Sequence, residues 1–143
     1  MIKSFFATLI LLIPMMTMAQ TQTQAQYQAV SAAVEAFAQA ADQQDAEALD
    51  KILDDNFRLV MNQLFGGDKV MTMDKATYLG KIRNKEFGGD ERTVSIHAVN
   101  VYGKNAQAQA TFKGKKMTFT SYLQLIHAPD GSWKIVNDLP TVE

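Results

Sequence analysis

Proton transfer, nucleophilic attack and metal binding each need particular side chains at workable spacing, and this sequence offers few of them. His97 and His127 are its only histidines, and it has no cysteine. A zinc site takes three or four nitrogen, sulfur or carboxylate ligands, and no such set surrounds either histidine. No metal and no cofactor is therefore expected. Ser121 lacks a His-Asp partnership of the kind that activates a nucleophilic hydroxyl. Gly66-Gly67 and Gly88-Gly89 read as turn glycines, because neither pair opens a helix in a phosphate-loop pattern. His97 stands where a strand changes phase, and bulges re-aim side chains near sites. The plainer alternative for His97 is a hydrogen-bonded histidine within a sheet.

The elements that would position such residues are legible from periodicity. Tyr27, Val30, Val34, Phe37, Ala38 and Ala41 share one face at helical spacing. Asp45 can cap a second helix carrying Leu49, Ile52 and Leu53. Residues 57–61 read as a strand, Gly66-Gly67-Asp68 as a turn and residues 70–73 as a short strand. Asp74 then caps a third helix, with Met73 and Tyr78 placed as a hydrophobic staple. That helix carries Leu79, Ile82 and Phe87 and is expected to stop at Gly88-Gly89. Four strands follow. Val94 and Ile96 lie on even numbers and Val99 and Val101 on odd ones, which predicts a β-bulge near His97-Ala98. Met117, Phe119, Leu123 and Leu125 share one strand face, against Thr118, Thr120, Tyr122 and Gln124 on the other. Turns at Gly103-Lys104-Asn105 and Pro129-Asp130-Gly131 are too short for anything but antiparallel neighbours. The reading is an α+β domain in the order ααββαββββ, with three helices packed in a curved, mixed but mainly antiparallel sheet. Such a cone-shaped barrel leaves a mouth for a ligand.

The first twenty residues concern the address. Lys3 and Ser4 are followed by fourteen residues without charge and then by Ala19, the shape of a secretory signal peptide. A spanning helix needs about 20 apolar residues, so fourteen interrupted by Pro14 are too few. Cleavage after Ala19 leaves a 124-residue chain with 13 cations against 15 acids, a net charge of −2. The expectation is an exported protein, periplasmic or secreted, with no membrane attachment after cleavage and, lacking a basic face, no nucleic-acid partner. Residues 20–26 (QTQTQAQ) read as a flexible leader, and residues 27–143 as a single domain.

"YLQLIHAPDGSWKIVND" resembles the final hairpin of the putative lumazine-binding branch of the nuclear transport factor 2-like superfamily, also called ketosteroid-isomerase-like or cystatin-like. "DQQDAEALDKILDDNFRLV" is similar to that superfamily's second helix and first strand. The resemblance spans residues 27 to 139 and implies the cone fold, which hosts isomerases, dehydratases, hydrolases and plain binding domains. It also implies where isomerase groups would stand. The helix-1 tyrosine falls on Phe37, and the base falls near Val60 or Met61. No Asp or Glu occurs between Glu91 and Asp130, where the second carboxylate belongs. All three groups are missing, so catalysis by that route is not expected. The branch often carries an acid where Ser121 stands and a base where Asp138 stands, and a function needing that pair does not carry over.

The residues read as lining the cone are Phe37, Met61, Tyr78, His97, Thr120, Tyr122 and Asn137. They suit a small aromatic or apolar ligand. Three function classes stay open: a binding domain, an enzyme with a non-standard site, and a dimeric interaction module. The last draws on the apolar final hairpin, whose Tyr122, Leu123, Leu125, Trp133, Ile135 and Val136 are too many for one wet face and predict a homodimer through the sheet.

Overall fold

The computed structural model describes the backbone of residues 14–143 and the side chains of residues 22–143. The expected signal peptide falls mostly outside the described residues. Helix α1 spans Pro14–Asp42, so the stretch read as a flexible leader is helical, and its residues 22–25 are exposed. Among the described residues no helix is long and apolar enough to cross a membrane.

Helix α2 (Ala46–Ile52) follows, then strand β1 (Leu53–Asn62), a short 3-10 turn at Leu64–Gly66, and β2 (Val70–Asp74). Helix α3 (Lys75–Arg83) leads to β3 (Thr93–Tyr102), β4 (Asn105–Lys113), β5 (Thr118–His127) and β6 (Trp133–Val142). The six strands form one sheet in the order β2-β1-β6-β5-β4-β3. Every neighbouring pair is antiparallel except β1 with β6. The sheet is not closed; β2 and β3 are free edges. Three helices in a curved mixed sheet are the architecture that the periodicity implies.

The caps act as their chemistry predicts. Asp45 accepts from the amides of Glu47 and Ala48 at 3.1 and 3.0 Å, and Asp74 accepts from Thr77 at 2.9 Å. Lys75 ties the region together, reaching Asp50, Asp55 and the Leu53 carbonyl, each at 3.0 Å. On α1 the residues Val30, Val34, Phe37, Ala38 and Ala41 are buried as their spacing requires, while Tyr27 is 39% exposed.

Helix α3 ends earlier than expected. Lys85 takes a left-handed φ of 60°, and the amides of Lys85 and Glu86 close on the carbonyls of Ile82 and Lys81. This is a complete Schellman closure made without glycine. Phe87 therefore leaves the helix. Gln44 closes α1 in the same way, with φ 55° and the Asp45 amide on the Ala40 carbonyl at 2.8 Å.

The two glycines so released have another task. The loop they occupy lies across the end of α1, where the Gly89 amide donates to the Ala41 carbonyl and Gln44 donates to the Phe87 carbonyl. A Cβ on Gly88, whose φ is +77°, would lie 2.1 Å from the Ala41 carbonyl oxygen. Gly131, at φ +87° in the last turn, has open space around it. Left-handed backbone alone costs a residue with a Cβ about 1–2 kcal/mol. Gly131→Ala should therefore lower stability by about that much, and Gly88→Ala by clearly more. Urea midpoints of the two variants check the ranking, and equal losses would mean that the loop does not press on α1.

Candidate functional site

The phase of each strand decides what its side chains can reach. On β1, Phe57, Leu59 and Met61 point inward and are buried; on β4, Ala106, Ala108, Ala110 and Phe112 do so. On β5 the inward set is Phe119, Ser121, Leu123 and Leu125. Small alanines on β4 leave room under the sheet, and aromatic rings from α1 and α3 define that room. Phe37 stacks on Tyr78 at 6.4 Å between centroids and meets Phe112 edge-on at 6.3 Å. Tyr78 also packs against Phe57 at 5.5 Å and Phe87 at 6.1 Å. The result is a cavity of about 360 Å³ bounded by Phe37, Leu59, Met61, Tyr78, Phe87, Phe112, Phe119 and Pro140, with Ser121 and Asp138 among its walls.

Asp138 is there because β6 is bulged. Gln124 pairs with Asn137 but Leu125 pairs with Ile135, so Val136 is an extra residue in the strand. Before it, Trp133 and Ile135 face inward; after it, Asp138 and Pro140 do. The bulge thus turns a carboxyl into the cone. Asp138 is 7% exposed, and its Oδ1 has no hydrogen-bond partner among the described residues. Burial pushes the carboxyl up to about 6, while the Ser121 side chain and the more distant Arg92 favour its charged form. Burial, and then the field of Asp138, raise the Tyr78 hydroxyl above its ordinary value, so it stays a neutral donor.

Arg92 does not neutralise Asp138, because its hydrogen bonds go elsewhere. Its Nε and amide hold the Asp42 carboxylate, its second guanidinium nitrogen donates to the Ala38 carbonyl at 3.1 Å, and its plane lies 5.3 Å from the centre of Phe112. It fastens the entry of β3 to the end of α1 and backs one cavity wall.

Of the seven residues expected to line the cone, Phe37, Met61 and Tyr78 do. The other four lie on the outer face of the sheet. His97 is the bulged residue of β3, since Ile96 pairs with Ala110 and Ala98 with Gln109. Alternation from Val94 and Ile96 already points His97 outward, where Nε2 meets the Thr111 hydroxyl at 2.8 Å, and the bulge returns Val99 and Val101 to the inner face. Thr111 meets Thr120 at 3.0 Å, and Thr141 donates to the Thr120 carbonyl. Tyr122 is 45% exposed and its hydroxyl accepts from Gln109 at 3.3 Å. Asn137 is half-buried one residue before the group that reaches the cavity. The correction has two causes: Leu123 and Leu125 claim the inner face of β5, and the unforeseen bulge puts Asp138 where unbroken alternation puts Asn137. No group of three or more potential metal ligands occurs among the described residues.

The profile of the family described as "Putative lumazine-binding" matches residues 25–139. The chain belongs to that family. Its fold is also that of solved NTF2-like structures. An NTF2-like protein of unknown function from Silicibacter pomeroyi superposes with a TM-score of 0.73 at 20% identity, over 85% of this chain and 98% of that one. Another, from Shewanella baltica, gives 0.72 at 15% identity, over 83% and 94%. A protein from Shewanella frigidimarina named as a putative ketosteroid isomerase gives 0.58 at 19% identity, over 79% and 94%. At these identities the likeness carries the fold. No curated protein matches the chain. Ser121 and Asp138 lie diagonally on the neighbouring strands β5 and β6, Ser121 opposite Pro140 and Asp138 opposite Leu123, and the Ser121 hydroxyl engages the Asp138 carboxyl.

The raised carboxyl has a consequence for stability. An unfolded Asp titrates near 4. Between about pH 4 and 6 the folded chain then binds more protons than the unfolded one, and stability falls as pH rises. Two pKa units correspond to on the order of 2 kcal/mol or slightly more. Asp138→Asn should raise the melting temperature at pH 8 by roughly 8 °C, taking about 4 °C per kcal/mol for a domain of this size. The gain should vanish near pH 4. Calorimetry at both pH values tests this, and a variant equally or less stable at pH 8 would show that the carboxyl is not strained by burial.

Proposed function

We propose that the protein is an exported small-molecule-binding domain whose ligand occupies the cavity bounded by Phe37, Tyr78 and Phe112. The observation that carries this is an apolar cavity of about 360 Å³ with one buried, unmatched carboxyl oxygen in its wall. Ligand sites of small molecules are concave, mostly apolar and furnished with a few placed polar groups, at roughly 300–1,000 Å³. Asp138, Ser121 and Tyr78 are those groups here. The family description supports a ring-shaped ligand of the lumazine kind. Export is supported by the charge and length pattern of the first nineteen residues.

Asp138 and Tyr78 also support an enzymatic alternative. A carboxyl titrating near 6 and a protonated phenol are an acid–base pair, though at positions other than those implied by the isomerase resemblance. The dimer proposal rests on less. Leu123, Leu125, Trp133 and Ile135 are all covered by the protein's own core, leaving Tyr122 and Leu139, directly opposed on β5 and β6, as the exposed apolar pair.

A thermal-shift screen of pterins, flavins, steroids and small aromatic acids against residues 20–143 tests the binding proposal. A ligand at a hundred times its Kd adds about 2.7 kcal/mol to the stability of the native state. Leu59→Trp, which fills the cavity beside Asp138, should abolish the shift. A screen without any hit would sink the proposal. Sedimentation at tens of micromolar addresses self-association separately: a clean monomer removes the dimer.

A further inference from the structure

We infer that Asp138 reads the inner edge of the ligand, and that this edge is a fork of adjacent N–H donors on a planar heterocycle, an amidine-like or 2-amino ring edge rather than a dioxo one. The inference rests on the cavity being a ligand pocket, and it names the chemistry of that pocket's polar end.

An ionised carboxylate only accepts hydrogen bonds, through two oxygens with about four lone-pair positions. Ser121 engages the group, and no donor among the described residues reaches Oδ1. Leu59 and Leu123 flank Asp138 in register on β1 and β5, and neither has a polar side-chain atom. Arg92 is held by Asp42 and by the Ala38 carbonyl. Among the described residues no protein donor is left for Oδ1, and the cavity that Asp138 lines is the side from which an occupant would supply one. Leaving a buried acceptor unmatched forfeits its hydration, and a charged one forfeits more. A ring carbonyl set against the ionised group would add a second acceptor where a donor is required. Phe37, Tyr78 and Phe112 give the ring aromatic neighbours, and planar bodies pack on such faces.

Protonation changes the rule. Once protonated, the carboxyl is a donor as well as an acceptor, and a carbonyl edge is no longer refused. The groups acting on Asp138 are Ser121 from β5, Tyr78 from α3, and the Arg92–Asp42 pair from the entry to β3 and the end of α1; Lys85, Glu86, Asp90 and Lys116 also line the cavity. Tyr78 stays neutral, and Arg92 is paired with Asp42. Asp138 is thus the group that switches between pH 7 and pH 5, since burial holds its carboxyl at about 6.

Pterin and lumazine are a matched pair for the test. They share one bicyclic skeleton and differ at position 2, where pterin has an amino group beside a ring N–H and lumazine has a carbonyl. Titration calorimetry of residues 20–143 at pH 7 should show pterin binding at least tenfold more tightly than lumazine. The preference should shrink several-fold at pH 5 and disappear in Asp138→Asn. If Asp138→Asn fails to fold, the comparison of pH 7 with pH 5 on the unsubstituted protein carries the test: a preference of equal size at both pH values overturns the inference. Equal affinities, or tighter lumazine binding at pH 7, overturn the inference while leaving the pocket intact. The same holds if neither pteridine binds but naphthalene, which has no donor, does. If none of the three binds, the pocket reading fails first and the inference with it.

Discussion

A carboxylate held in an apolar cavity is disfavoured by its lost hydration, so a fold that keeps one there must impose it mechanically. The extra residue at Val136 does this. It reverses the alternation of β6 after Ile135, so Trp133 and Ile135 complete the core while Asp138 and Pro140 line the cavity. The pairing on both sides makes the reversal firm. Asp138 sits in register with Leu59 on the parallel neighbour β1 and with Leu123 on the antiparallel neighbour β5. A side chain in the middle of a sheet has two directions only, and this one is aimed.

The surroundings keep the carboxyl from being neutralised. The nearest guanidinium, Arg92, is held by Asp42, so the two charges offset each other at the junction of α1 and β3. Had Arg92 been free, an ion pair with Asp138 would have lowered its pKa and filled its hydrogen-bonding capacity. The loop that carries Phe87 and Gly88 is held against α1 by Gln44 and by the Ala41 carbonyl, so the cavity wall opposite the sheet is fixed by backbone contacts. Rigid aromatic walls and one unmatched acceptor are the two halves of a selective site.

Most of the fold was legible because local chemistry and tertiary packing agree. Asp45 and Asp74 cap helices, the short turns force hairpins, and the shift from Val94 and Ile96 to Val99 and Val101 exposes the bulge at His97 since apolar residues mark both phases. The second bulge left no such trace. After Val136 the inward positions are Asp138 and Pro140, and neither looks like a core residue in a sequence. The face of β5 was ambiguous for the same reason: Ser121 is an inward polar residue and Tyr122 an outward aromatic one. Helix α3 was read about one turn too far into its loop because Lys85, not a glycine, adopts the left-handed closure. In each case the misleading residue is one whose tertiary role overrides its type, which is where functional sites depart from pattern.

The two bulges show why a motif list could not find this site. Both insert one residue into an antiparallel pair, and both sit beside a titratable side chain. On β3 the inserted His97 points out to a ladder of threonine hydroxyls, as alternation already requires, and the positions re-aimed are Val99 and Val101 behind it. On β6 the inserted residue is Val136, which is chemically inert, and the group that gains a role stands two positions later. The residue at a bulge and the residue re-aimed by it are different residues. A histidine at a bulge attracts notice by its chemistry, yet what decides function is which side of the sheet the following positions acquire. In this protein that side belongs to Asp138.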